Sequence, residues 1–368
     1  MESSHFSSHH SFDFGAHSRD YGYHPSSNRE LTEWHQFFIE YTLSLVMENS
    51  HLSRKGMSIL ASHLISLFHH KRLWNTLEDS IAVILSIGEW CEGWLKLGTF
   101  LKCNQNSLSE ADINRVKAII DKLCPESLDE QIRMYLLANT NDFYHLETMD
   151  ENGDNLFNGH EIAAKNAENL GEYLSKTHIE YLTAMLPTIL SSNGDCGRGR
   201  DFGVGCAKGT LEHSLFLEKL VDNLSKIPFE KQNINPLIGF IRQLCKINFS
   251  LTNLLLEKLL QDKRVNKWFP LIQTTATLDD NAVLRLIKSV ESQQPPIHYF
   301  QSLGYGRVHE ALSDTDLCNI LHAINKQPDG IKVSIEILSM RFHGLGTERT
   351  YVPTDEIKKF AQQTREFR

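Results

Sequence analysis

Between Asp150 and Glu161 the chain reads DENGDNLFNGHE, and oxygen-bearing side chains recur there at alternate positions. Calcium and similar hard cations take six to eight oxygen ligands. A twelve-residue loop supplies them from positions 1, 3, 5 and 9, from the carbonyl at 7, and from a bidentate Glu at 12. Asp150, Asn152, Asp154, the Leu156 carbonyl, Asn158 and Glu161 fill those six places. The chemistry this set predicts is calcium binding; the alternative for the same Asn/Asp/Gly cluster is a plain polar turn between helices.

With acids or amides at 1, 3 and 5 and Glu at 12, the stretch resembles an EF-hand loop. Leu146 and Met149 stand at the apolar places ahead of position 1, and Ile162 follows the last ligand. The resemblance implies a helix on either side of the loop, with HEIAAKNAENLGEYL as the exiting one. Three positions depart from the pattern. Asn155 stands where Gly usually makes a left-handed turn, and Asn tolerates that conformation best among the other residues. Phe157 replaces an aliphatic residue at position 8, and Lys165 and Asn166 stand where a sensor hand presents apolar side chains. No second complete loop accompanies it: SDTDLCNILHAI, from Ser313, has Cys318 where an oxygen is required. An unpaired hand implies either pairing with a second copy, as a dimer, or an affinity of about 10⁻⁵ to 10⁻³ M.

The elements that must position this loop read as helices. Trp34, Phe37, Phe38, Tyr41, Leu45 and Val46 fall at helical spacing behind a Ser/Asn cap near residue 28. Further helices are predicted at about 53–71, 73–102, 108–123 and 127–139. Leu-rich ones follow near 211–226, 235–247, 251–261, 278–292, 314–324 and 330–341. No run alternates with period two between hairpin turns, so the fold class is all-α. Helices of this length joined by short polar turns resemble HEAT or armadillo α-solenoids, which implies a curved interaction surface. An irregular bundle fits the same pattern.

The division expected is a Ser/His-rich tail over 1–28, a helical block over 29–140, the EF-hand-like region over 141–190, a Gly-rich linker over 191–209, a helical-repeat-like block over 210–342 and a polar segment over 343–368. The tail carries His5, His9, His10, His17 and His24 at irregular spacing, which suits a solvated segment better than a metal site. Within the linker, Gly197, Gly199 and Gly203 run G-x-G-x-x-x-G, one residue too long for a dinucleotide fingerprint. Arg198, Arg200 and Lys208 are available there to an anionic partner. The aromatics of QPPIHYFQSLGYGRV, 294–308, are expected to pack a turn onto the helices.

Composition narrows the function. With 368 residues, 41% hydrophobic and 23% charged, the chain is of ordinary globular type and long enough for more than one domain. The net charge of −9 and the lack of a basic stripe argue against nucleic acid. The longest apolar run, Ile81 to Ile87, is far too short to span a membrane, and no secretory core opens the chain. Seven scattered cysteines with no CxxC pair fit buried reduced thiols in a cytoplasmic protein. Neither G-x-S-x-G nor H-E-x-x-H occurs, and no other catalytic constellation stands out, so an enzyme is not expected. The sequence points to a calcium-binding helical scaffold with a protein partner. The alternative is a metal-independent interaction module of helical-repeat type.

Overall fold

The computed structural model describes residues 27–48, 51–138, 143, 146–149, 155–191, 198–343 and 351–366, and the fold is all-α. Among the described residues no helix is long and apolar enough to cross a membrane. The chain divides into two compact units after Pro125.

The first unit holds α1 (Asn28–Met47), α2 (His51–Phe68), α3 (Trp74–Ile87), α4 (Cys91–Asn104) and α5 (Glu110–Leu123). Ser27 caps α1 and Ser109 caps α5, each accepting a hydrogen bond from a first-turn N–H. The helix expected over 73–102 is two helices. Gly88 is extended there, and Trp90 turns inward to lie fully buried against Gly93, where any Cβ would strike its ring. Burying so large a side chain outweighs continuing one amphipathic helix through a glycine. The core gathers Phe68, Trp74, Trp90, Phe100 and the aliphatic faces of α2 and α3. Trp74 donates its indole N–H to the Phe68 carbonyl at 2.8 Å, while the buried Trp90 indole N–H finds no such acceptor among the described residues.

The second unit begins with α6 (Leu128–Ile132), which passes directly into a π-helical turn over Arg133–Leu137. A short ribbon follows, β1 (Thr148–Met149) antiparallel to β2 (Asn155–Phe157), which no period-two run predicts. Then come α7 (Gly159–Thr177), α8 (Ile179–Leu190), α9 (Arg198–Gly209), α10 (His213–Ser225), α11 (Asn235–Ile247), α12 (Phe249–Gln261), α13 (Phe269–Gln273) and α14 (Asp280–Glu291). After two 3₁₀ stretches, Ile297–Leu303 and Tyr305–Ala311, the chain closes with α15 (Asp314–Asn325), α16 (Gly330–Phe342) and α17 (Asp355–Glu366).

The expected linker over 191–209 is instead a buried helix from Arg198 onward, packed between α7 and α11. Its glycines are what make that place possible. On α7, Ala163, Ala167, Gly171 and Ser175 recur every fourth residue and form one smooth stripe, all four buried. Opposite it, a Cβ on Gly205 would sit 1.8 Å from the Glu168 carbonyl oxygen, and one on Gly209 2.2 Å from that of Glu172. The other flank of α9 meets α11, where a Cβ on Gly239 would lie 1.8 Å from the Arg200 carbonyl oxygen. Backbones at this distance gain dispersion and Cα–H···O contacts that side chains would forbid. Four glycines cost α9 about 1 kcal/mol each in intrinsic propensity, so tertiary packing must make the helix.

The segment over 343–368 is more than a polar tail. From its helix α17, Ile357, Phe360 and Thr364 are buried, and Ile357 and Phe360 join the cluster formed by α14, α15 and α16. Tyr351 and the Thr354 N–H both donate to Asp314, which also pairs with the buried Arg341 at 2.8 Å. The aromatics of 294–308 divide: Phe300 is buried and Tyr299 stacks on Trp268 at 5.1 Å, while Tyr305 stays exposed.

Candidate metal centre

Asn158 and Glu161 meet at the first turn of α7. Asn158 is the N-cap, extended at φ −80°, ψ 154°, and its side-chain oxygen accepts from the Glu161 N–H at 2.9 Å. Glu161 returns the bond, accepting from the Asn158 N–H at 3.3 Å, which completes a capping box. Two of the six predicted ligands are therefore adjacent, exposed and already oriented by the helix terminus. Leu156, whose carbonyl is the third, lies in β2 two residues earlier. Asp150, Asn152 and Asp154 fall outside the described residues.

The approach to the loop differs from the helix that the resemblance implies. The π-helical turn ends at Leu137, Leu146 donates its N–H to the Phe143 carbonyl at 3.0 Å, and the chain enters as strand β1. Thr148 pairs with Phe157 and Met149 with Asn155, with an irregularity between them. Asn155 is accordingly the first residue of strand β2.

What holds this approach in place is Arg198, a residue the sequence offered only as surface charge. Its guanidinium is buried: Nε donates to the Tyr135 carbonyl at 2.7 Å, Nη2 donates to the Ala138 carbonyl at 3.1 Å, and the group lies 4.7 Å from the Phe143 ring centre. Both carbonyls lie at the C-terminal end of the π-helical turn, where a cation is the favoured group. Phe143 is fully buried and lies nearly parallel to Tyr135, whose hydroxyl accepts from Asn166 on α7 at 3.0 Å. Both ends of the loop are thus tied to the α7–α9 pair. Sixty-three residues separate Arg198 from Tyr135, and no local signal could have joined them.

The other linker cations are also spoken for. Lys208 pairs with Glu168 across α7 and α9 at 2.6 Å, with Lys165 beside it at 2.7 Å. Burial raises the Glu168 carboxyl, and the two lysines outweigh it and hold the pKa below its usual value. Arg200 reaches Asn235 at 3.4 Å.

The six described cysteines are free thiols. Cys91, Cys206 and Cys318 are buried, and burial pushes Cys318 up to about 11, with Glu356 and Asp314 adding to it. Cys103 and Cys124 are exposed, contrary to the expectation of uniformly buried thiols.

The described donors fit a hard cation in type, being oxygen only, and in access, since Asn158 and Glu161 face solvent. The capping box orients the Glu161 carboxylate and uses one of its roughly four acceptor sites, which leaves both oxygens able to meet an ion. The positive end of the α7 dipole also faces the loop, and the attraction must come from Asp150, Asp154 and Glu161. Compared with family models, with curated proteins and with solved structures, the chain matches none.

Proposed function

We propose that the chain is a calcium-binding helical scaffold, in which one ion held by residues 150–161 links the approach through Phe143 and β1 to α7. The observation that carries this reading is the pairing of Asn158 with Glu161, which sets the ninth and twelfth positions of the loop side by side on the α7 cap. The ion acts as a structural clamp. Because α7 is locked backbone-to-backbone against α9, the exiting helix has no room to swing as a sensor hand does. Three acidic side chains in an unpaired loop favour affinities at the weak end, about 10⁻⁵ to 10⁻³ M. The free and partly buried thiols suit a reducing compartment such as the cytoplasm, where a site this weak fills only when calcium rises or when two copies pair.

Isothermal titration of calcium into chelator-stripped full-length protein, with magnesium as control and Asp150→Ala as blank, tests it. Heat at one site per chain that disappears in the variant is expected; no heat up to millimolar calcium would refute the reading.

A second reading, a metal-independent interaction module on the C-terminal helices, draws on the exposure of Ile247, Phe249, Leu254 and Leu284 along α11, α12 and α14. Its α-solenoid character belongs with this proposal. Association that is insensitive to chelator and lost in Leu254→Asp with Leu284→Asp would favour it over the first.

A further inference from the structure

Three helices of the second unit carry the same short frame. It reads LFLEKLV from Leu215 on α10, LLLEKLL from Leu254 on α12 and LRLIKSV from Leu284 on α14. The second, third and sixth residues of each copy are buried, whereas the leading leucines are 53%, 56% and 56% exposed. One turn further along stand Lys219, Lys258 and Lys288, at the i+4 spacing that keeps each on the face of the leucine before it. The copies also stand side by side. Asn253 donates to Asp279 at 3.5 Å and Arg285 to Glu257 at 3.2 Å, so α12 and α14 run parallel. The bonds between them join residues 26 to 32 apart in the chain, a range that includes the separation of Leu254 from Leu284. Arg264 holds Asp222 of α10 beside Asp262 at the end of α12, and Leu215 and Leu254 each precede that aspartate by about two helical turns. A row of leucines therefore runs across the three helices with a row of lysines beside it.

The charges around the two rows are sorted. Arg264 takes Glu218, at 2.8 Å, together with Asp222 and Asp262, and Arg285 takes Glu257 and, at 3.7 Å, Asp279. The acids that neighbour the lysines are thus engaged by arginines, and among the described residues Lys219, Lys258 and Lys288 form no ion pair. We infer that the double row docks an acidic segment of a partner protein, extended, with an apolar side chain at every third residue. Such a segment complements both rows at once, its carboxylates meeting the lysines while its apolar side chains cover the leucines. Its period also matches, because every third residue of an extended chain recurs on one face after about 9 to 10 Å, close to the distance between packed helices. A surface of anionic lipid fits less well. Glu218 and Asp222 are exposed and would face its headgroups, whereas a single chain that follows the rows passes them by. The inference rests on the second reading of function, which takes these helices as an interaction module, and adds the chemistry of the partner.

Fluorescence polarisation tests it, with the full-length protein in chelator and a labelled peptide of five Leu-Glu-Glu repeats as probe. Five Leu-Gln-Gln repeats serve as the uncharged control. The net charge of −9 opposes non-specific uptake of an acidic peptide, so binding reports the local lysines. The acidic peptide should bind at least about fivefold more tightly than the control at about 50 mM salt, and lose most of that margin at about 300 mM. Lys258→Gln with Lys288→Gln should weaken its binding about fivefold, and Leu254→Ser with Leu284→Ser about tenfold. All four positions are exposed, and unchanged circular dichroism verifies the fold. Equal affinity for the two peptides, or no binding of either up to millimolar concentration, would overturn the assignment. Binding that falls in the leucine variant and not in the lysine variant would overturn the acidic class alone and leave the interaction module standing. Capture by phosphatidylserine vesicles without binding of the peptide, lost in the lysine variant, would give the face to a lipid surface instead.

Discussion

A Cβ on Gly205 would sit 1.8 Å from the backbone carbonyl oxygen of Glu168, closer than any two such atoms can approach. The neighbour is main chain and cannot step aside by changing rotamer. Gly205→Ala should therefore lower stability by about 2 kcal/mol or more, despite the roughly 1 kcal/mol that alanine gains in helix propensity. Gly88→Ala is the control: nothing lies within 4 Å of a Cβ there, and the residue is extended. It should stay within about 0.5 kcal/mol of the parent in urea denaturation. Equal effects of the two changes would mean that α7 and α9 do not meet in this way.

Arg198 donates to the Tyr135 and Ala138 carbonyls while lying over Phe143. Arg198→Met keeps the aliphatic stem and removes the donors, and should cost about 2 to 4 kcal/mol through the loss of two charge-assisted hydrogen bonds. Hydrogen exchange should show the loss concentrated at 133–149 before any global unfolding. Uniform loosening of the unit would contradict the clamp.

The Asp314 carboxyl carries a pH signature. Burial acts to raise its pKa, yet hydrogen bonds from Tyr351, the Thr354 N–H and Arg341 outweigh burial and set it at about 2. A depressed folded-state pKa gives stability that is present above the unfolded value near 3.8 and is lost as pH falls through 2. The window is thus between about pH 4 and 2, and the amount about 2 kcal/mol. Asp314→Asn should flatten denaturation midpoints across that window. An unaltered acid slope would show that Asp314 is not the group responsible.

Calcium binding and helix capping make different demands on Glu161. In Glu161→Gln the amide oxygen still accepts from the Asn158 N–H, so stability should change by under about 0.5 kcal/mol. Calcium affinity should fall at least about tenfold, because the bidentate carboxylate is gone. Asn155→Gly should act in the opposite sense and raise affinity about threefold to fivefold, since glycine reaches the left-handed turn of the loop's sixth position more easily. Titration calorimetry of the two variants reads both effects. Equal calcium affinities in the parent and in Glu161→Gln would reduce the pairing with Asn158 to a helix cap.

Helical periodicity and caps were local information, and they were legible as such. The serines at 27 and 109, the Leu-rich runs and the exiting helix after Asn158 all act within one or two turns of sequence. The alternating oxygen donors of 150–161 were legible for the same reason, being a pattern inside twelve residues. Intrinsic propensity, however, assigns RGRDFGVGCAKG to a loop, and it is packing that makes it α9, because its glycines are an asset only when two other helices lie against them. The break at Gly88 was decided by the depth to which Trp90 could bury. The docking of α17 was decided by Asp314, which waits thirty-seven residues for Tyr351. So was the joining of Arg198 to Tyr135, an encounter between residues far apart in the chain that closes only when the rest of the unit has brought them within 3 Å.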